Sequence, residues 1–189
     1  DRLLDLLRDR SRSLKARLRD FLLVAGEAQQ LLDSENMAEL AAFCTEPWAI
    51  SAETAAGSGS WEAAACQCLQ DLEILEPDWL TLLKQWEQAP ELPGFAPQDP
   101  EKLERIAVSF AFRYLLKAVN DGDLLGRAQF CALGVLVTDR LSRFVGLPEA
   151  LRLFSREIEH DEDNLATLRE QFWQTEGLSL SALLAAFCG

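Results

Sequence analysis

Apolar residues recur along this chain at spacings of three and four, and no stretch shows the strict alternation of a half-buried strand. Leu3, Leu4, Leu6 and Leu7 open a short helix that gives way around Ser11-Arg12-Ser13, where either serine supplies an N-cap. The following helix sets Leu14, Leu18, Phe21, Leu22 and Ala25 on one stripe and runs to about Leu32. A shorter helix covers Asn36–Phe43 and stops before Pro47. Residues 51–60 are small and flexible and read as a loop. Trp61 to about Leu75 returns to helix, and Pro77 begins another that carries Trp79, Leu82, Leu83 and Trp86.

Pro90, Pro93, Pro97 and Pro100 make the clearest break in the pattern. It divides an N-terminal helical subdomain (1–88) from a Pro-rich linker (89–100) and a C-terminal helical subdomain (101–189), the whole expected to form one unit. Glu101–Val119 places Leu103, Ile106, Ala107, Phe110, Tyr114 and Ala118 on one side. Asn120-Asp121-Gly122-Asp123 is a turn that ends in an N-cap. Leu124–Val145 is apolar nearly all round in its middle and should be the central, most buried helix. Gly146 stops it, Pro148 starts the next, and a short apolar helix spans Ser179–Phe187. The fold class is therefore all-α, an irregular bundle of roughly seven to nine helices.

Composition agrees: Leu, Ala, Glu, Gln and Arg abound, with one Tyr and few β-branched residues. A net charge of −13 argues against nucleic acid, whose binding depends on cations that neutralise phosphates. The charge is uneven. Residues 1–20 hold seven Arg/Lys against four Asp. This basic leading edge is either a docking face for an acidic partner or for another part of the same protein, or an ordinary solvated helix face. The longest apolar run, Phe130–Val137, is far short of the roughly 18 residues a membrane span needs, so no membrane partner is expected. Five cysteines with no secretory signal behave as small hydrophobes and fit a reduced, cytoplasmic setting. The chain opens at Asp1 in what reads as mid-helix, as a fragment or excised domain would.

One segment breaks its own rhythm. Leu151, Phe154, Ile158, Leu165, Leu168 and Phe172 form a seam whose missing member is Asp161, and a carboxylate there is costly unless paired or hydrogen-bonded. Glu157 and Asn164 share its face, and His160, the only histidine, lies one step round. In one reading a helix ends near Glu159-His160 and Asp161 caps the next, accepting an N–H from Asp163 or Asn164. In the other, Arg156, Glu157, His160, Asp161 and Asn164 gather at a cleft. Glu157-Ile158-Glu159-His160 also fits the Glu-x-x-His pattern of di-iron bundles, but a single histidine excludes such a centre.

Phe154-Ser155-Arg156-Glu157-Ile158-Glu159-His160, followed by Asn164-Leu165, resembles a signature near the C-terminus of flagellin lysine-N-methylases. Leu4–Leu18 is similar to the opening of that family's helical half, and Phe112-Arg113-Tyr114 with Asp121-Gly122-Asp123 to its helix and turn. Residues 45–100 match weakly. The resemblance implies the C-terminal helical half of a protein-lysine N-methyltransferase, with S-adenosylmethionine as donor and a lysine-bearing, flagellin-like protein as substrate. It also implies a partner in a cysteine-rich N-terminal half that holds an iron–sulfur cluster. Here Cys66-Gln67-Cys68 has a one-residue gap and no Cys-x-x-Cys occurs, so this chain is expected to hold no cluster and no metal.

Lysine methylation needs a neutral amine aligned with the donor methyl group, its proton lost to water or a nearby carboxylate. The candidate substrate-cleft residues are Arg113, Arg156, Glu157, His160, Asp161 and Asn164, and Glu157, Glu159 and Asp161 would attract the substrate ammonium. The alternative is a non-catalytic helical protein–protein interaction domain. No Gly-rich phosphate loop or nucleophile elbow supports another enzyme class.

Overall fold

The computed structural model describes residues 2–48, 50, 61–89 and 95–188. The predicted loop at 51–60 and the centre of the Pro-rich linker fall outside them. The described chain is all-helical, with eleven α-helical segments: α1 (Arg2–Arg8), α2 (Leu14–Asp33), α3 (Met37–Thr45), α4 (Trp61–Asp71), α5 (Pro77–Glu87), α6 (Pro100–Tyr114), α7 (Ala118–Asp121), α8 (Leu124–Val145), α9 (Leu147–Phe154), α10 (Glu162–Gln174) and α11 (Leu180–Ala186). Single 3₁₀ turns at Leu115–Lys117 and Glu176–Leu178 join some of them.

This is the expected all-α bundle of roughly that many helices, with some long periodic runs subdivided into shorter segments. The run expected over Glu101–Val119 is continuous only to Tyr114, then tightens into the 3₁₀ turn and the single-turn α7. Gly122 terminates α7 at φ 72°, a left-handed conformation that glycine adopts at no steric cost. The helix starting at Trp61 ends at Asp71, four residues short of the predicted Leu75, because residues 72–76 are held in a non-helical loop by side chains from elsewhere.

Capping follows local chemistry. Ser13 Oγ accepts from Ala16 N at 3.2 Å, Asn36 from Glu39 N at 3.2 Å and Asp99 from Lys102 N at 3.0 Å. Asp123 accepts from Gly126 N at 2.8 Å, and Gln29 of α2 completes the cap of α8 by accepting from Leu124 N at 2.8 Å and Leu125 N at 3.1 Å. One amide thus locks the start of the central helix to its neighbour.

Helix α8 is buried on nearly every side, from Leu125 through Leu141. α2, α6 and α9 pack directly against it, and α5, α10 and α11 complete its surroundings. Gly134 lets α6 and α9 come close: a Cβ there would sit 2.7 Å from the Phe110 ring and 3.3 Å from that of Phe154. Phe110, Phe130, Phe154 and Tyr114 form an aromatic cluster at this crossing, with centroids 4.7–6.2 Å apart. The core is continuous from Leu7 to Phe187 and draws on residues either side of the Pro-rich segment.

The basic leading edge is largely consumed internally. Arg10 and Arg17 both pair with the buried Glu104 of α6, each at 2.9 Å. Arg12 and Arg19 pair with Asp20, which is completely buried. Desolvation works against the Glu104 carboxylate, but hydrogen bonds from Arg10 and Arg17 outweigh it and hold its pKa below the usual range. None of the described helices is long and apolar enough to cross a membrane.

Candidate functional site

The interruption at position 161 is a helix boundary. Asp161 has extended backbone (φ −116°, ψ 112°), and its carboxylate accepts from Asn164 N at 2.7 Å, making it the N-cap of α10. Its neighbours on the seam turn inward. Glu157 is fully buried, with one carboxylate oxygen accepting from Leu75 N at 2.9 Å and the other from Glu76 N at 2.7 Å. Asn164, also buried, accepts from Glu73 N at 3.0 Å and donates to Glu73 O at 2.8 Å and Glu157 O at 2.9 Å. These two side chains clasp the loop between α4 and α5 and supply the hydrogen bonds its backbone would otherwise lack. Glu76 itself has no capping side-chain bond to α5. It faces outward to Arg152 at 3.0 Å and Arg156 at 3.8 Å.

Between α9 and α10 the chain makes a π-helical turn over Ser155–Glu159, closed by an i to i+5 bond from His160 N to Ser155 O at 3.0 Å. The turn buries Leu153, Phe154, Glu157 and Ile158 together, and delivers Glu159 to the end of α6. There Glu159 accepts from Tyr114 Oη at 3.0 Å and from Ser155 Oγ, and pairs with Arg113 at 2.7 Å. Its side chain is only 1% exposed, whereas that of Arg113 is 44% exposed and covers the faces of Phe110 and Tyr114. Burial, reinforced by the Glu159 charge and hydrogen bond, pushes the Tyr114 phenol well above its ordinary pKa, so it remains a neutral donor.

Tertiary structure thus joins Arg113 to the 154–160 segment through Glu159, a residue absent from the candidate cleft set. Of the six candidates, Arg113, Arg156 and His160 are exposed, Asp161 is half-buried, and Glu157 and Asn164 are buried. Glu157 and Glu159 have both carboxylate oxygens engaged, so neither offers a free carboxylate to a substrate ammonium. Glu159 carried a legible signal in its serine four residues upstream, one helical step away. The role of Tyr114 had none, because its partner lies 45 residues downstream.

Two hollows elsewhere have contrasting chemistry. One of about 320 Å³ between α4, α5 and α8 is polar, lined by Glu62, Gln67, Gln70, Trp86, Glu87 and Arg140 among others, with Arg140 tied to Glu62 at 2.7 Å. The other, about 500 Å³, is an apolar groove between α1, α2, α3 and the end of α6, with a floor that includes Val24, Leu40, Phe43, Leu115 and Leu116.

The described residues contain no group of three or more His, Cys, Asp or Glu side chains that could hold a metal. Cys66, Cys68 and Cys131 are buried, free thiols. Burial, with Asp71 adding a smaller effect, raises the Cys68 pKa to about 11, which keeps it protonated and a poor ligand or nucleophile. These thiols do not suit an iron–sulfur cluster. The apolar hollow includes a single charged residue in its lining, and the guanidinium in the polar one is paired with Glu62. Comparison with family models, curated proteins and solved structures gives no match for this chain.

Proposed function

We propose that this chain is the helical half of a protein-lysine N-methyltransferase of the flagellin type. The observation that carries the reading is the meeting of two of its family-like stretches, Phe112–Tyr114 and Phe154–His160, at the buried Glu159. Short π-helical turns concentrate at functional sites, and this one lies within the more specific of the two stretches. In this reading Glu157, Glu159, Asp161 and Asn164 are positioning residues that hold the turn. Exposed Arg113, Arg156 and His160 form the face offered to the substrate segment or to the catalytic half. The resemblance implies S-adenosylmethionine as the donor and an iron–sulfur cluster in the cysteine-rich half of such enzymes.

The test is methyl transfer to flagellin lysines by the full-length protein with S-adenosylmethionine, read by mass spectrometry. Arg113→Ala, Arg156→Ala and His160→Ala are each expected to lower methyl incorporation about tenfold or more; the last two should leave the thermal transition in place, whereas Arg113→Ala, which strips the partner from buried Glu159, should lower it. Unchanged incorporation in all three variants would remove this face from the reaction, and no transfer by the parent protein would end the enzymatic reading.

A second reading, a non-catalytic helical interaction domain, is favoured by the apolar groove. Phe112, Leu116 and Val119 lie along it at 61%, 67% and 85% exposure, unusual for large apolar side chains on neighbouring turns.

A further inference from the structure

We infer that the polar hollow between α4, α5 and α8 binds a free α-amino acid with an apolar side chain. It is lined by neither the 112–119 nor the 154–160 segment, so such a site is independent of both functional readings above. The hollow has at its wall a buried cation whose bonds are not all made. Arg140 of α8 is 4% exposed, and its Nη2 donates to Glu62 at 2.7 Å. Its Nη1 is buried with no acceptor. The adjacent carboxylate, Asp139, is engaged by Arg143 at 3.1 Å instead. Burial is the largest influence on the Arg140 guanidinium and, despite Glu62, leaves its pKa below the ordinary value, so its charge is under-compensated. An unmade hydrogen bond on a buried charged group is costly, and about 320 Å³ of space beside it gives room for an acceptor to enter. Nη1 is closed to water, so a ligand carboxylate reaches it through a small rotation of the guanidinium toward the hollow.

Acceptors dominate the rest of the wall. Glu87, exposed at the end of α5, has no cation within ion-pair distance among the described residues. Burial raises the pKa of the Cys66 thiol, which lines the same hollow, and the Glu87 charge adds to the rise. Gln67 and Gln70 direct amide N–H groups to Asp71 at 2.9 Å and to Cys66 at 3.3 Å, which leaves their amide oxygens as acceptors. Ala63, Trp86 and Ala89 supply the apolar part. A simple anion would meet the Glu62 and Glu87 carboxylates, and a simple cation would meet the under-compensated guanidinium. A zwitterion answers both: its carboxylate accepts from Arg140 while its ammonium donates to Glu87 and the amide oxygens. The volume lies at the lower end for small-molecule sites, which suits one amino acid with its side chain against Trp86.

The test is isothermal titration calorimetry of the full chain with three probes: L-leucine, L-leucinamide, which lacks the carboxylate, and N-acetyl-L-leucine, which lacks the ammonium. Leucine is expected to bind with a Kd of about 1 mM or tighter, and each blocked analogue about tenfold or more weakly. Glu87→Gln, at an exposed position that folding does not need, is expected to weaken leucine about tenfold. The same variant should leave the weak binding of N-acetyl-L-leucine unchanged, because that probe has no ammonium for Glu87 to meet. Leucinamide binding as tightly as leucine would remove Arg140 from the site, and N-acetyl-L-leucine doing so would remove Glu87; either result overturns the zwitterion. No heat from leucine at about 10 mM would overturn the site altogether and leave Arg140 Nη1 a structural orphan.

Discussion

Residues 157–164 and the face at 112–119 invert the usual distribution of polarity in opposite senses. The first buries a carboxylate and a carboxamide; the second leaves Phe112, Leu116 and Val119 in water. What separates them is satisfaction. Both oxygens of Glu157 and both ends of the Asn164 amide have partners on the 73–76 loop or the adjoining turn, so their burial answers a demand within the fold. Nothing in the described chain answers the apolar face. A buried polar group with every bond made is evidence of architecture, while an exposed apolar group with no partner points outward to something it meets.

The sharpest way to break this comparison is Glu157→Ala. Two backbone N–H groups lose a charged acceptor inside the protein, and urea unfolding should show a loss of about 3 kcal/mol. A loss below about 1 kcal/mol would mean that water replaces the clasp and that the residue is free for another role. Asn164→Ala removes three hydrogen bonds of the same clasp and should cost about 2 kcal/mol by the same measurement.

Asp121 gives an intermediate case at the surface. Hydrogen bonding to Arg127 is the main cause that lowers its pKa from 3.8 to about 2, with Arg169 adding to it. A depressed folded-state pKa gives stability that is fully present above about pH 4 and is lost as pH falls through about 2. Its partial exposure keeps the effect under about 1 kcal/mol. Asp121→Asn should flatten the pH dependence of stability in that window and change little at pH 7 beyond the lost pair. The smallest expected effect is at Leu116→Ser: stability should stay within about 0.5 kcal/mol of the parent, because nothing is lost on folding. A larger loss would show that the exposed face supports the fold after all.

Much of the helical layout was legible locally. The stripe of α2, the boundaries of α8 and the caps at Ser13, Asp123 and Asp161 follow from side chains within a few residues of where they act. The early end of α4 was not legible, because Glu157 and Asn164 impose it from more than 80 residues away. Asp161 shows the boundary between the two kinds of information. Its capping role is written in the three residues after it, yet whether its neighbours faced a cleft or a loop depended on what packed beside them.

By itself the chain determined the all-helical class, the central position of α8 and the helix ends capped by nearby residues, because period and capping act over one or two turns. Only tertiary structure decided which polar groups are spoken for. It joined Tyr114 and Arg113 to Glu159, turned Glu157 onto the α5 entry, spent four leading arginines on Glu104 and Asp20, and left Phe112, Leu116 and Val119 uncovered. Hydrogen bonds and charges reach across sequence distances that no local pattern encodes, so a residue's partner, and with it the meaning of its burial, exists only once the helices have packed.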